Sequence, residues 1–201
     1  MAATISASQV KELRDRTGAG MMECKKALGE TDGDVEKAVE LLRVRLGDKA
    51  LKLGGRETTE GTVQAYIHAN AKLGVLVEVD SNTDFVARNP EFIEFAKAVA
   101  MHIAAIPTIQ WVSEDEVPQD AKDAELRVFE QQAADKPENV RSRIAEGKLG
   151  KWLQEVVLLS QQHVNQDKHE GKTIEQLRSE LSGQTGENIV VRRFARFQIG
   201  G

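Results

Sequence analysis

The chain has 201 residues, of which 40% are hydrophobic and 29% charged, with a formal net charge of -5 and one cysteine. That length can bury one or two ordinary cores without a disulfide or metal staple, and the composition is globular rather than disordered or fibrous. Cys24 alone excludes an internal disulfide and the acidic balance opposes nonspecific nucleic-acid binding; with no leader-like start and no bilayer-length apolar run, a soluble cytoplasmic protein without membrane contact is expected.

The pattern predicts an α+β protein. Residues 1–54 read as a compact three-helix domain. In its first helix Ser6 and Gln9 stand at capping-box spacing, Val10 and Leu13 share a face, and Gly18 follows as a stop. A second helix begins near Gly20 and turns Cys24, Ala27 and Leu28 inward. Asp32 and Asp34 mark the third start, before the stripe Val35, Ala38, Val39, Leu42. Between the first two helices, Met21 and Met22 are adjacent, about 100 degrees apart on a helical wheel, so one of them faces solvent. Core filling and partner binding are both open to it.

Residues 49–60 mix Lys, Gly and Thr without an apolar face and read as a linker, which makes 55–201 a second, core domain. There Val63, Ala65 and Ile67 alternate with polar residues, a turn follows at 70–74, and Val75, Val77 and Val79 repeat the pattern, which is a hairpin. Next comes Asn82-Thr83-Asp84-Phe85-Val86-Ala87-Arg88-Asn89-Pro90, a strand-to-helix connection. Phe85 in it either plugs the domain's own core or is offered to a partner, and the residues alone favour the plug. Asn89 and Pro90 start a helix whose buried stripe is Phe92, Phe95, Ala96, Val99 and Ile103.

A helical segment at about 113–163 is punctuated by Pro118, Pro137 and Gly147, as an inserted helical hairpin or a lid. Thr173 and Gln176 stand at capping-box spacing before Ile174, Leu177 and Leu181, and residues 183–188 read as a turn. The last strand puts Ile189, Val191, Ala195, Phe197 and Ile199 on one face, interrupted by Arg193, and Arg192 and Arg196 on the other with Phe194. It completes a three-stranded antiparallel sheet packed with helices.

Equipment for catalysis is missing. There is no phosphate-binding loop, dinucleotide fingerprint or zinc spacing, and His68, His102, His163 and His169 fall in different predicted elements, as ordinary surface or core histidines. Cys24 sits on an inward face, where a thiol is an inert small hydrophobe. The arginine strip with Phe194 and Phe197 resembles a single-strand stacking platform, which the acidic balance opposes. No catalytic residue, metal or cofactor is expected.

Three separated stretches carry a resemblance. Val10 to Leu28, with its Arg16-Thr17-Gly18-Ala19-Gly20-Met21-Met22 turn, then Thr83-Asp84-Phe85-Val86-Ala87, then Gly186-Glu187-Asn188-Ile189 followed by Arg192-Arg193 closely resemble the translation elongation factor Ts family. The match runs in order over nearly the whole chain. It implies a guanine-nucleotide exchange factor, not an enzyme, acting on the GTPase elongation factor Tu; with the acidic balance, no direct contact with nucleic acid is expected. It also implies a ubiquitin-associated-like fold for residues 1–54. The chain resembles the short bacterial form, in which a homodimer would supply a second core half. By the same resemblance, the residue matching Phe85 wedges between helices of the GTPase, and Thr83, Asp84, Phe85 and Val86 displace its magnesium ion. Arg14, Met21 and Met22 match N-terminal contacts. Thr185 and Gly186 match a core contact where the family often has an Ile-Gly pair, so the polar Thr185 departs from the pattern.

Overall fold

The computed structural model describes residues 5–200. In chain order these form α1 (Ala7–Thr17), α2 (Met21–Glu30), α3 (Val35–Leu53), β1 (Glu60–Ile67), β2 (Leu73–Ser81), α4 (Asp84–Ala87), α5 (Pro90–Ala105), α6 (Gln119–Gln132), α7 (Glu138–Val156), α8 (Gln166–His169), α9 (Ile174–Thr185) and β3 (Val190–Gln198). Short 3-10 turns lie at Glu114–Glu116 and Leu158–Ser160. The fold is α+β, with one antiparallel sheet in the order β1-β2-β3. Contacts gather the chain into two units. One takes in residues 5–62, Val79–Ile93 and Gln176–Val190; the other holds Val63–Glu78, Glu94–Glu175 and residues 191–200.

In the first unit, local chemistry sets the helix ends. Ser6 and Gln9 form the capping box, and Gly18 at φ 65° closes α1, its N–H bonding the Arg14 carbonyl. Asp34 caps α3. Val10, Leu13, Cys24, Ala27, Leu28, Ala38 and Leu42 pack into one cluster. The linker reading of 49–60 is corrected: α3 runs to Leu53, because Leu46, Ala50 and Leu53 continue the buried stripe at helical spacing. The turn reading of 183–188 is also corrected, since α9 continues through Gly183 to Thr185. A Cβ at Gly183 would lie 2.9 Å from the Leu46 carbonyl oxygen, so this glycine permits α3 and α9 to touch.

In the second unit the arginine strip has other work. Arg196 donates to the carbonyls of Ile103, Ile106 and Pro107, closing the C-terminal end of α5, and Arg193 pairs with Glu78 at 2.6 Å. The hairpin's apolar alternation is real but faces outward on β1. Val63 and Ile67 are more than 60% exposed, while Thr62, Gln64 and Tyr66 are partly covered. On β2, Val75, Val77 and Val79 are the buried positions. Within 113–163 the helical hairpin is narrower than expected, α6 and α7 spanning Gln119–Gln132 and Glu138–Val156, and Gly147 lies inside α7 rather than ending it. Trp111 and Trp152 meet edge to face at 6.0 Å beside Val117, Val156 and Val157. Among the described residues, no helix is long and apolar enough to cross a membrane.

Three of the four histidines meet in this unit, His102 reaching the other two from about 60 residues earlier in the chain. His102 and His163 stack at 5.4 Å between ring centres, and His169 lies 4.1 Å from His163. Val164 N–H donates to His102 Nδ1, so Nε2–H donates to Gln161; Asn165 N–H donates to His163 Nδ1, so Nε2–H donates to the Ala98 carbonyl. Both rings are therefore neutral and have both nitrogens occupied. Burial depresses all three, His102 and His169 to about 4. Unfolded histidines take up protons near 6.5, folded His102 and His169 only near 4 and folded His163 below its ordinary value, so the folded state binds fewer protons between 6.5 and 4. Stability is thus complete above pH 6.5 and lost as pH falls toward 4, with His102 alone contributing at most about 3 kcal/mol. The urea midpoint is expected to drop from pH 7 to pH 5. A pH-independent midpoint would overturn this account.

Candidate partner-binding site

The connection after β2 is held from below and open above. Ser81 is fully buried and its hydroxyl donates to the Thr83 carbonyl at 3.0 Å. Thr83 is extended, at φ -127° and ψ 156°, and serves as N-cap of the one-turn helix α4. Ala87 is buried, so the opposite side of that turn must face solvent. Phe85 occupies it and is 84% exposed. It is not a core plug. Asp84 and Arg88 pair at 3.2 Å across the turn, and the Asn89 side chain caps α5 through the Glu91 N–H at 2.9 Å.

The turn is anchored by a residue far along the chain. One Glu187 oxygen accepts the N–H groups of Asn82 and Thr83, at 3.1 and 3.0 Å, and the other accepts the Thr83 hydroxyl at 2.5 Å. Asn188 N–H donates to the Asn82 side-chain oxygen at 2.8 Å, and the Asn188 amide donates to the carbonyls of Gly54 and Arg56. The Ser182 hydroxyl holds the Glu187 carbonyl from within the same segment.

The N-terminal loop is fixed in a similar way. Gln184 donates to the Thr17 carbonyl at 2.6 Å. Gly18 is needed for its positive φ, and a Cβ there, 2.4 Å from the Gln184 amide nitrogen, would push that side chain off its bond to Thr17. Beyond this turn Met21 and Met22 are 57% and 76% exposed, and Arg14 is exposed on α1. Both methionines face solvent, where one was expected. Cys24 is fully buried, its S–H directed at the Ala19 carbonyl, and burial raises its thiol pKa, which makes it a poor nucleophile.

Thr185 and Gly186 end α9. The Thr185 hydroxyl donates to the Leu181 carbonyl at 2.8 Å, which leaves its methyl as the apolar part, and Gly186 takes φ 75°. All nine residues singled out from the sequence, Arg14, Met21, Met22, Thr83, Asp84, Phe85, Val86, Thr185 and Gly186, fall in the same unit. Sequence reasoning passed over Glu187 and Gln184. The Gly186-Glu187-Asn188 motif marked the place, but nothing local in it points to a partner 104 residues away. Among the described residues, no group of His, Cys, Asp and Glu is arranged to hold a metal ion. The arrangement offers an exposed ring, two thioethers and a fixed backbone, which is chemistry suited to docking.

A family model described as Elongation factor TS matches residues 5–170. Among similar proteins, the elongation factor Ts of Trichodesmium erythraeum is 48% identical over 98% of this chain and 90% of its own length. The elongation factor Ts of Desulfotalea psychrophila is 50% identical over 98% of each chain, and that of Syntrophobacter fumaroxidans 47% identical over the whole of this chain and 99% of its own.

Proposed function

The chain belongs to the elongation factor Ts family, a family of translation elongation factors, and from that premise we propose that it drives guanine-nucleotide exchange on elongation factor Tu. A GTPase holds GDP through its phosphates and a magnesium ion. An exchange factor must favour the nucleotide-free form over the GDP form, and by reciprocity GDP weakens the factor's own binding by the same ratio. Thr83, Asp84, Phe85 and Val86 disturb the magnesium and phosphate site, while Arg14, Met21, Met22, Thr185 and Gly186 hold the GTPase. Residues 1–54 act as the gripping domain and 55–201 as the core. No covalent step is involved, so the protein is not an enzyme, and it works in the cytoplasm without contacting nucleic acid.

The observation that carries this reading is Phe85, an 84% exposed ring on a turn held by hydrogen bonds at its base. A monomer gains nothing by showing such a ring to water, whereas rigid aromatic anchors dominate interface energetics. Stopped-flow release of a fluorescent GDP analogue from elongation factor Tu tests it. Acceleration is expected at substoichiometric amounts; binding without acceleration would make the protein a passive binding module instead.

The protein works as a homodimer. Val63, Ile67, Leu76, Phe197 and Ile199 are 45–73% exposed on the outer sheet face, and a groove of about 470 Å³ runs beside Ile67, Leu76, Phe197 and Ile199. A contiguous apolar sheet face of this kind fits a matching face of a second copy.

A further inference from the structure

We infer that Glu187 is a positioning residue, one that aims the turn carrying Phe85 without itself touching the GTPase. The inference rests on the exchange reading above.

Three donors from two consecutive residues, the N–H groups of Asn82 and Thr83 and the Thr83 hydroxyl, converge on one carboxylate at 2.5–3.1 Å. Charge-assisted bonds of this kind are about twice as strong as neutral ones. They fix the backbone at Asn82 and Thr83, and Phe85 follows two residues later on α4, so the direction of the ring is set there. The carboxylate cannot drift. Its own main chain is tied by the Ser182 hydroxyl, and the next residue, Asn188, is tied to Asn82, Gly54 and Arg56. Without Glu187 the two N–H groups turn to water and the turn samples other conformations. The cost of ordering it then falls on the step that opens the GTPase, while the grip of Arg14, Met21 and Met22 is unchanged.

Glutamine separates this role from bulk stability. In Glu187→Gln the side-chain oxygen still accepts both N–H groups, and the new amide donates to the Thr83 hydroxyl oxygen, which rotates to accept. Glu187→Ala removes all three contacts. Gln184→Ala is the control, because it releases the end of α9 from Thr17 without touching Asn82 or Thr83.

The experiment measures two things on the full-length variants. Amide hydrogen exchange at Asn82 and Thr83 in the isolated protein is expected to speed up about 10-fold in Glu187→Ala, and to stay near wild type in Glu187→Gln and Gln184→Ala. The dependence of GDP release on factor concentration is expected to show an about 10-fold lower maximal rate for Glu187→Ala, with half-saturation within about 3-fold of wild type and recovery in Glu187→Gln. Unchanged amide exchange, equal speeding in Gln184→Ala, or a wild-type maximal rate in Glu187→Ala would each overturn the inference. Failure of the wild-type protein to accelerate release would sink the exchange reading alone, since the amide measurement does not involve the GTPase.

Discussion

Replacing Phe85 by alanine is expected to leave the melting temperature within about 2 °C of wild type and to cut stimulated GDP release by about 30-fold or more. The two halves of this expectation come from the same number. At 84% exposure the ring supports almost nothing in its own chain, so its removal opens no cavity. Truncating a buried phenylalanine would instead cost about 3–5 kcal/mol. The turn itself survives, because Glu187 holds Asn82 and Thr83, Ala87 is buried, and Asn89 caps α5, none of which involves the ring. The Asp84–Arg88 pair is exposed on the Arg88 side and adds little. On the GTPase side the loss is large, since an aromatic anchor that enters a partner is the kind of residue on which binding energy concentrates. Calorimetry and stopped-flow release on one preparation decide the matter. Unchanged stimulation would end the wedge role, and a melting temperature lowered by some 10 °C would restore the core-plug reading.

What could be read from the sequence was what local chemistry dictates. Ser6 with Gln9, Gly18 and Asn89 with Pro90 each act within four residues, and Val75, Val77 and Val79 declare a buried face by period alone. The face of β1 was less legible. Alternation says that two faces differ, but which one a helix will cover is decided by the rest of the chain, and here the outer face of β1 carries Val63, Ala65 and Ile67. Arg196 read as part of a stacking strip for the same reason, since the carbonyls it holds at the end of α5 are about 90 residues away. The histidine stack and the Glu187 anchor are also long-range meetings, with no spacing rule to announce them. Phe85 is the instructive case. Average burial of phenylalanine pointed inward, whereas the resemblance pointed outward, and the exposed ring agrees with the latter.

Substituting Phe197 by aspartate is expected to convert the protein from a species of about twice its 22.2 kDa chain mass to a single chain, read by light scattering after gel filtration. Phe197 is 69% exposed in the chain, so a carboxylate there stays hydrated in the monomer and does not disturb the fold. In a dimer built on the outer sheet face the same carboxylate would be buried among Val63, Ile67, Leu76 and Ile199 from two copies, and Lys72, which lines the same groove, offsets only part of the cost. Such burial costs several kcal/mol at each of two symmetry-related sites, more than a small apolar interface can offset. Arg193 is already paired with Glu78 within the chain at 2.6 Å. A wild-type protein that scatters as a single chain at high concentration would overturn the dimer. The pair of substitutions also separates the two surfaces: Phe85→Ala should cut exchange and keep the mass of two chains, whereas Phe197→Asp should halve the mass with Phe85 still presented on its anchored turn.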